Sequence, residues 1–254
     1  MLKTRVLPCL LLDRERLVKT VQFKDPSYIG DPINAVRIFN TKEVDELVLV
    51  DITATFEKRK PSFELIAKIS DECRMPLTAG GGIRSHEDIA RLLSIGVEKV
   101  VINSLAMENP DFIQEAAERA GSQAIVVSID VQRHADGRYE AFSQGVRKAS
   151  GLHPVAWAKT VEEKGAGEIF LNSIDRDGTM RGYDVELIRQ VSEAVSIPVI
   201  ACGGAGKLED FREAVHAGGA SAVAAGSFFV FHGRRRAVLI NFPTKKELES
   251  VLSA

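Results

Sequence analysis

The sequence repeats itself at an offset of 122 residues. This shift lays Glu46 on Glu168, Glu64-Leu65-Ile66 on Glu186-Leu187-Ile188, Pro76 on Pro198, Gly81-Gly82 on Gly203-Gly204, and Gly96 on Gly218. Apolar matches alone would carry little weight, because any two strand-helix units look alike. Coincident glycines, prolines and glutamates at one offset point instead to a duplicated unit. Within each copy, short runs rich in Val, Ile and Leu alternate with longer amphipathic stretches, the pattern of parallel strands joined by crossover helices.

Eight such runs are expected as strands: Arg5 to Leu11, Glu46 to Asp51, Pro76 to Ala79, Lys99 to Asn103, Ala124 to Asp130, Glu168 to Asn172, Pro198 to Cys202, and Ala222 to Gly226. A helical pattern is expected after each. Ser62 opens one, with Phe63, Ile66, Ala67 and Ile69 on one face; Ser85 caps another, which closes on Gly96. Eight such units predict an α/β fold, a single (β/α)8 TIM barrel over residues 1–254. Its half-barrels fall at approximately 1–120 and 121–240, followed by a short C-terminal tail. No proline- or glycine-rich linker divides the chain.

Composition narrows the partners. With 33 basic and 35 acidic side chains the net charge is −2, which gives no long-range attraction for nucleic acid or an anionic membrane; a small anionic ligand is the better expectation. No stretch approaches the roughly 20 apolar residues of a membrane span. The opening apolar run reads as a strand rather than a signal peptide. Cys9, Cys73 and Cys202 share no zinc or disulfide spacing, so a cytoplasmic location is expected. His86, His134, His153, His216 and His232 show no metal-ligand pattern, and neither a metal nor a cofactor is assigned.

Barrel enzymes work at the C-terminal ends of their strands. Two kinds of residue stand there. Glycine-rich turns follow the third and seventh strands (Gly80 to Gly82, Gly203 to Gly206), and small-residue turns follow the fourth and eighth (Asn103-Ser104, Ala225-Gly226-Ser227). Glycines let backbone N–H groups approach an anion closely, so two phosphate sites across one mouth suit a substrate phosphorylated at both ends. The second kind is acidic: Asp51 ends strand two, Asp130 ends strand five, and Asp175 and Asp177 lie in the loop after strand six, where carboxylates can exchange protons with a substrate. At the opposite end Arg5, Glu46, Lys99 and Glu168 stand at or just before strand starts; two cations and two anions could pair there as a closed ring, but on their own they read rather as solvated charge flanking each strand. Phe228 to Phe231 is expected in a barrel wall, and Arg234 to Arg236 in solvent.

Taken together, RVLPCL, GDPINA from Gly30, DELVLVDITATFEKRK from Asp45, GGGI from Gly80, GSQAIVVSID from Gly121, GAGEIFLNSIDRDGT from Gly165 and CGGAGK from Cys202 resemble the HisF family over nearly the whole chain. HisF is the cyclase subunit of imidazole glycerol phosphate synthase. The resemblance implies a HisH-type glutaminase docked at the N-terminal face as a heterodimer, releasing ammonia that crosses the barrel through a gate of Arg5, Glu46, Lys99 and Glu168. It implies that Gly82, Asn103 and Ser104 hold one phosphate. By the same resemblance Asp177, Gly178, Gly204, Ala225 and Gly226 would frame the other, with Lys19 and Asp51 also on the substrate. A sister isomerase barrel has similar halves, but the EKRK segment and the SIDRDGT loop favour the synthase.

One position departs from the pattern. The family uses carboxylates at the ends of strands one and five; Asp130 fills the second, but Leu11 stands at the first. Asp13, two residues on, is the nearest substitute. The PCLLL, KTVQF and LINFP segments resemble a HisF-like group associated with surface-polysaccharide synthesis. That resemblance implies passage of ammonia to a sugar-amidating synthetase that forms an acetamidino group.

Overall fold

A run buried on both faces reads as nearly continuous hydrophobic residues, and each of the eight runs becomes a strand of one parallel sheet. The computed structural model describes residues 4–143, 148–233 and 235–253. The barrel strands are β1 (Arg5–Asp13), β2 (Leu47–Asp51), β3 (Leu77–Gly80), β4 (Lys99–Ile102), β5 (Ile125–Arg133), β6 (Glu168–Ser173), β7 (Val199–Cys202) and β8 (Ala222–Ala225). Each pairs in parallel with the next, and β8 returns to β1 through Arg5 opposite Ala222 and Leu7 opposite Ala224, which closes the barrel.

Alternation along each strand sorts the side chains. Leu7, Cys9, Val48, Val101, Val126, Phe170, Ile200, Ala222 and Ala224 pack inside the barrel. Their neighbours Val6, Leu10, Leu12, Leu47 and Leu49 face out, where helices such as α2 (Phe63–Glu72) and α3 (His86–Ser94) cover them. The α3 start is built as its sequence predicts, with Ser85 Oγ accepting from the Asp88 N–H, and Gly96 takes a φ of 94° just past the helix.

The 122-residue offset reappears in three dimensions. Leu47 N–H donates to the Pro76 carbonyl, and Ile169 N–H to that of Pro198, both at 2.9 Å. Gly81 lies against the Asp51 carbonyl with a φ of 99°, and Gly203 against that of Ser173 with a φ of 89°. A Cβ at either position would collide with backbone, so these glycines make the close approach that their turns require.

The structure corrects the expectation that a helix follows every strand directly. After β1 the chain makes an antiparallel excursion, Arg16–Val21 paired with Lys24–Gly30, before α1 (Pro32–Thr41). After β5 it makes another, Tyr139–Ser143, antiparallel to β5. Both begin where a barrel strand runs past its parallel partners and pairs with the chain that follows. The aromatic run is a short helix, Ser227–Val230, rather than barrel wall, and Phe228 and Phe229 stack with Phe211 and Phe242 outside the strands. Of the arginine cluster, Arg234 lies outside the described residues. Arg236 is not simply solvated: it donates to the Gly178 carbonyl at 3.1 Å and lies over the Phe231 ring.

Candidate active site and charged ring

Barrel closure brings the four strand-start charges together. Arg5 Nη1 donates to Glu46 Oε2 at 2.5 Å and Nη2 to Glu168 Oε1 at 2.8 Å. Lys99 Nζ reaches Glu46 Oε2 at 3.1 Å and Glu168 at 3.3 Å. Two cations and two anions therefore alternate around the N-terminal opening. Thr78 Oγ1 donates to Glu46 Oε1 at 2.6 Å, giving the most buried member, at 2% exposure, another partner. Burial opposes the charge on Arg5, but Glu168 and Glu46 outweigh it and hold the guanidinium above its ordinary value. Flanking charges on open strands would be solvated; here the closed wall turns them inward.

Above this ring the interior is apolar up to the C-terminal mouth, where its character divides. One wall is polar. Asp130, at the inner face of β5, is 7% exposed. Its Oδ2 accepts from Asn103 Nδ2 at 2.8 Å, and its Oδ1 from Ser128 Oγ at 3.4 Å. Asn172, its register partner on β6, also bonds to it. Burial pushes the Asp130 carboxyl up to about 7, and the charge of Asp177 adds to this, against the hydrogen bonds of Ser128, Asn172 and Asn103. A carboxyl so placed can hold or release a proton near neutrality. Asn103 Oδ1 and Asn172 Oδ1 are buried and have no hydrogen-bond partner among the described residues. The opposite wall is apolar: Leu11 sits beside Val50 in the register and packs with Cys202 against the interior cluster.

The anticipated phosphate residues divide into two places. Gly82 lies at one side of the mouth, its N–H directed to Thr55 Oγ1 at 3.3 Å, with Asn103 and Ser104 following β4. Gly204, Ala225 and Gly226 lie at the other. Lys19, buried on the Arg16–Val21 strand, brings its Nζ against Gly226, where any Cβ would overlap it.

Asp51 and Asp177 are committed to the protein itself. Asp51 accepts from the Thr53 and Ala54 N–H groups at 2.9 Å and pairs with Arg59, which shapes the turn after β2. Asp177 accepts from Thr20 Oγ1 at 2.7 Å and the Phe23 N–H at 3.3 Å, while its carbonyl takes the Gln22 N–H. It thus ties down the hairpin that carries Lys19. Gly178 lies directly beneath the Thr20 carbonyl. Asp13 ends β1 opposite Arg16 at the mouth of that hairpin. The carboxylate whose charge bears on Asp130 is Asp177.

Asn172 is absent from the sequence-derived site. Its signal was available: it is the last residue of the expected sixth strand, the place Asp130 holds in the fifth, and the structure sets the two in register. Cys202 behaves as a packing residue, since its bond to Cys9 and its enclosure push the thiol well above the ordinary range.

A closed (β/α)8 barrel with paired glycine turns and a buried aspartate at one mouth and a ring of charge at the other defines a class of barrels built from two similar strand-helix halves. Within that class the chain belongs to the histidine biosynthesis protein family, whose model matches residues 5–235. It is 49% identical to a Pseudomonas aeruginosa protein provisionally named imidazole glycerol phosphate synthase subunit hisF2, over 98% of this chain and 99% of that one. A Leptospira interrogans protein, provisionally named as the HisF subunit, is 46% identical over 99% of both chains. The imidazole glycerol phosphate synthase subunit HisF of Alkaliphilus metalliredigens is 47% identical over 91% of this chain and 92% of its own. The chain is a HisF-like barrel.

Proposed function

We propose that this chain is the synthase subunit that receives ammonia from a HisH-type glutaminase and spends it on a phosphorylated substrate at its C-terminal mouth. The observation that carries the reading is the ring of Arg5, Glu46, Lys99 and Glu168 across the base of an apolar interior. An apolar bore admits neutral ammonia and disfavours ammonium, because an unpaired charge there would lose its hydration. The partner docks where the ring opens to the N-terminal face. At the mouth, the bis-phosphorylated ribulosyl aminoimidazole precursor spans from Gly82, Asn103 and Ser104 to Gly204, Ala225 and Gly226, with Lys19 on its phosphate and Asp130 as the acid-base group. The products are imidazole glycerol phosphate and aminoimidazole carboxamide ribotide.

Leu11 favours a second reading. With leucine in the apolar wall facing Asp130, only one carboxyl serves proton transfer, and loss of a general acid or base costs about 10²- to 10⁴-fold in rate. In that reading the barrel delivers ammonia to a separate synthetase that amidates an N-acetyl nucleotide sugar. One experiment divides them: the purified chain is given ammonium salt and the precursor without partner. Formation of imidazole glycerol phosphate supports cyclisation. No turnover, with none restored by Leu11→Asp, removes it in favour of ammonia delivery.

A further inference from the structure

Outside the barrel mouth, a cavity of about 510 Å³ opens on the rim between the connection after β6 and that after β7. Arg176, Arg181 and Lys207 stand around it, and among the described residues none of the three is ion-paired; Arg176 reaches only the Arg181 carbonyl, at 3.5 Å. Asp210 forms part of its floor, but one oxygen is turned to the Gly206 and Lys207 N–H groups at 2.8 and 3.0 Å. Glu213 at the edge is exposed and has no cationic partner among the described residues.

The walls are fixed by backbone. Gly182 N–H donates to the Gly204 carbonyl at 2.9 Å, and Gly206 packs so closely on the Met180 carbonyl that no side chain fits between them. Met180 holds a left-handed φ of 57°, a conformation that costs energy and collects at ligand clamps. The helix entering the floor widens into a π-turn at Glu213–Ala217, a feature that often marks functional positions. The cavity backs onto the barrel through Tyr183, whose hydroxyl donates to the Ala224 carbonyl at 2.9 Å.

Three cations without an ion pair among the described residues, against Asp210 and Glu213, leave the lining net positive and favour an oxyanion, and the planar forks of two arginines match the oxygens of a phosphate. The volume suits a ligand larger than phosphate alone. Tyr183 is the one aromatic residue lining the cavity, and it is buried with its hydroxyl committed. Nothing is therefore offered for stacking a base, whereas Glu213 is free to accept from hydroxyl groups. We propose that this rim cavity is a sugar-phosphate site separate from the barrel mouth, with the phosphate on Arg176, Arg181 and Lys207 and sugar hydroxyls toward Glu213. This goes beyond the ammonia reading and does not depend on it.

The test is a titration of the ¹⁵N-labelled full chain with ribose 5-phosphate, followed by amide resonances. The Gly182, Gly206 and Lys207 amides are expected to shift saturably. The double variant Arg181→Glu/Lys207→Glu, with its fold checked by circular dichroism, should weaken that binding by at least about tenfold. Shifts at Gly82 and Gly226 report the mouth in the same spectra, so its occupancy is read independently. The proposal is overturned if the rim amides do not move, if their shifts survive the charge reversal, or if unphosphorylated ribose produces them equally. Binding of inorganic phosphate as tight as that of ribose 5-phosphate overturns the sugar assignment. Should the double variant misfold, Arg181→Ala, at an exposed position, supports the same comparison.

Discussion

Replacing Asp130 by asparagine should stabilise the barrel, and by more at alkaline pH than in acid. Burial holds this carboxyl at about 7 in the folded protein, against about 3.9 in an unfolded chain. Between those values the unfolded chain has lost its proton while the folded one keeps it. The unfolded state then binds fewer protons, so the contribution of Asp130 to stability falls as pH rises from about 4 to 7 and is level above that. The whole gap corresponds to about 4 kcal/mol. The part lying between pH 5 and pH 8 corresponds to about 2–3 kcal/mol. Asparagine keeps the shape and an oxygen for Asn103, and Ser128 by rotating, or Asn172 by flipping to present its unpartnered Oδ1, can accept from its new amide, so little should be lost in exchange. Urea denaturation of both proteins at pH 5 and pH 8 measures this, and the difference between them cancels every other titrating group. The advantage of the variant should grow by about 2–3 kcal/mol across the interval. An advantage that is constant with pH, or one that shrinks, would refute the assignment of Asp130 as a carboxyl kept neutral by burial. The gain should come with loss of any proton transfer at the mouth.

Three further outcomes follow from the geometry. Glu46→Gln leaves Arg5 and Lys99 sharing only Glu168, and breaking a largely buried ion pair should cost about 2–4 kcal/mol, seen by calorimetry as a melting point lower by several degrees. Gly81→Ala forces a Cβ onto the Asp51 carbonyl at a left-handed φ; a loss of about 2 kcal/mol or more is expected in denaturant titration, with Gly203→Ala behaving alike. Asp177→Ala removes the acceptor for Thr20 and Phe23, so hydrogen exchange at the Phe23 amide should quicken by about tenfold while that of β5 stays unchanged.

Much of the architecture could be read locally. The repeated Pro and Gly pair at one offset, the Ser85 cap and the Gly96 stop depend on neighbours within a few residues, and the structure places each as expected. The two antiparallel excursions escaped notice because Arg16–Val21 and Tyr139–Ser143 differ little in pattern from other mixed polar segments. What makes them strands is the overhanging end of β1 or β5, a partner that exists only once the barrel has formed. The acids were legible as strand-end residues, but their employment was not: Asp51 and Asp130 stand at equivalent strand ends, yet one faces the turn and the other the bore.

The sequence by itself determined the barrel-strand count, the 122-residue repeat, the glycine turns and the leucine at position 11, because each is a property of residue type and spacing. Only the tertiary structure decided the charge states and partnerships. Arg5 and Glu168 are 163 positions apart and meet because β8 pairs back onto β1. Asp130 is held near 7 by the walls around it rather than by its neighbours in the chain. Solvation and ion pairing depend on what surrounds a group in space, and in a barrel those surroundings come from strands far apart in sequence.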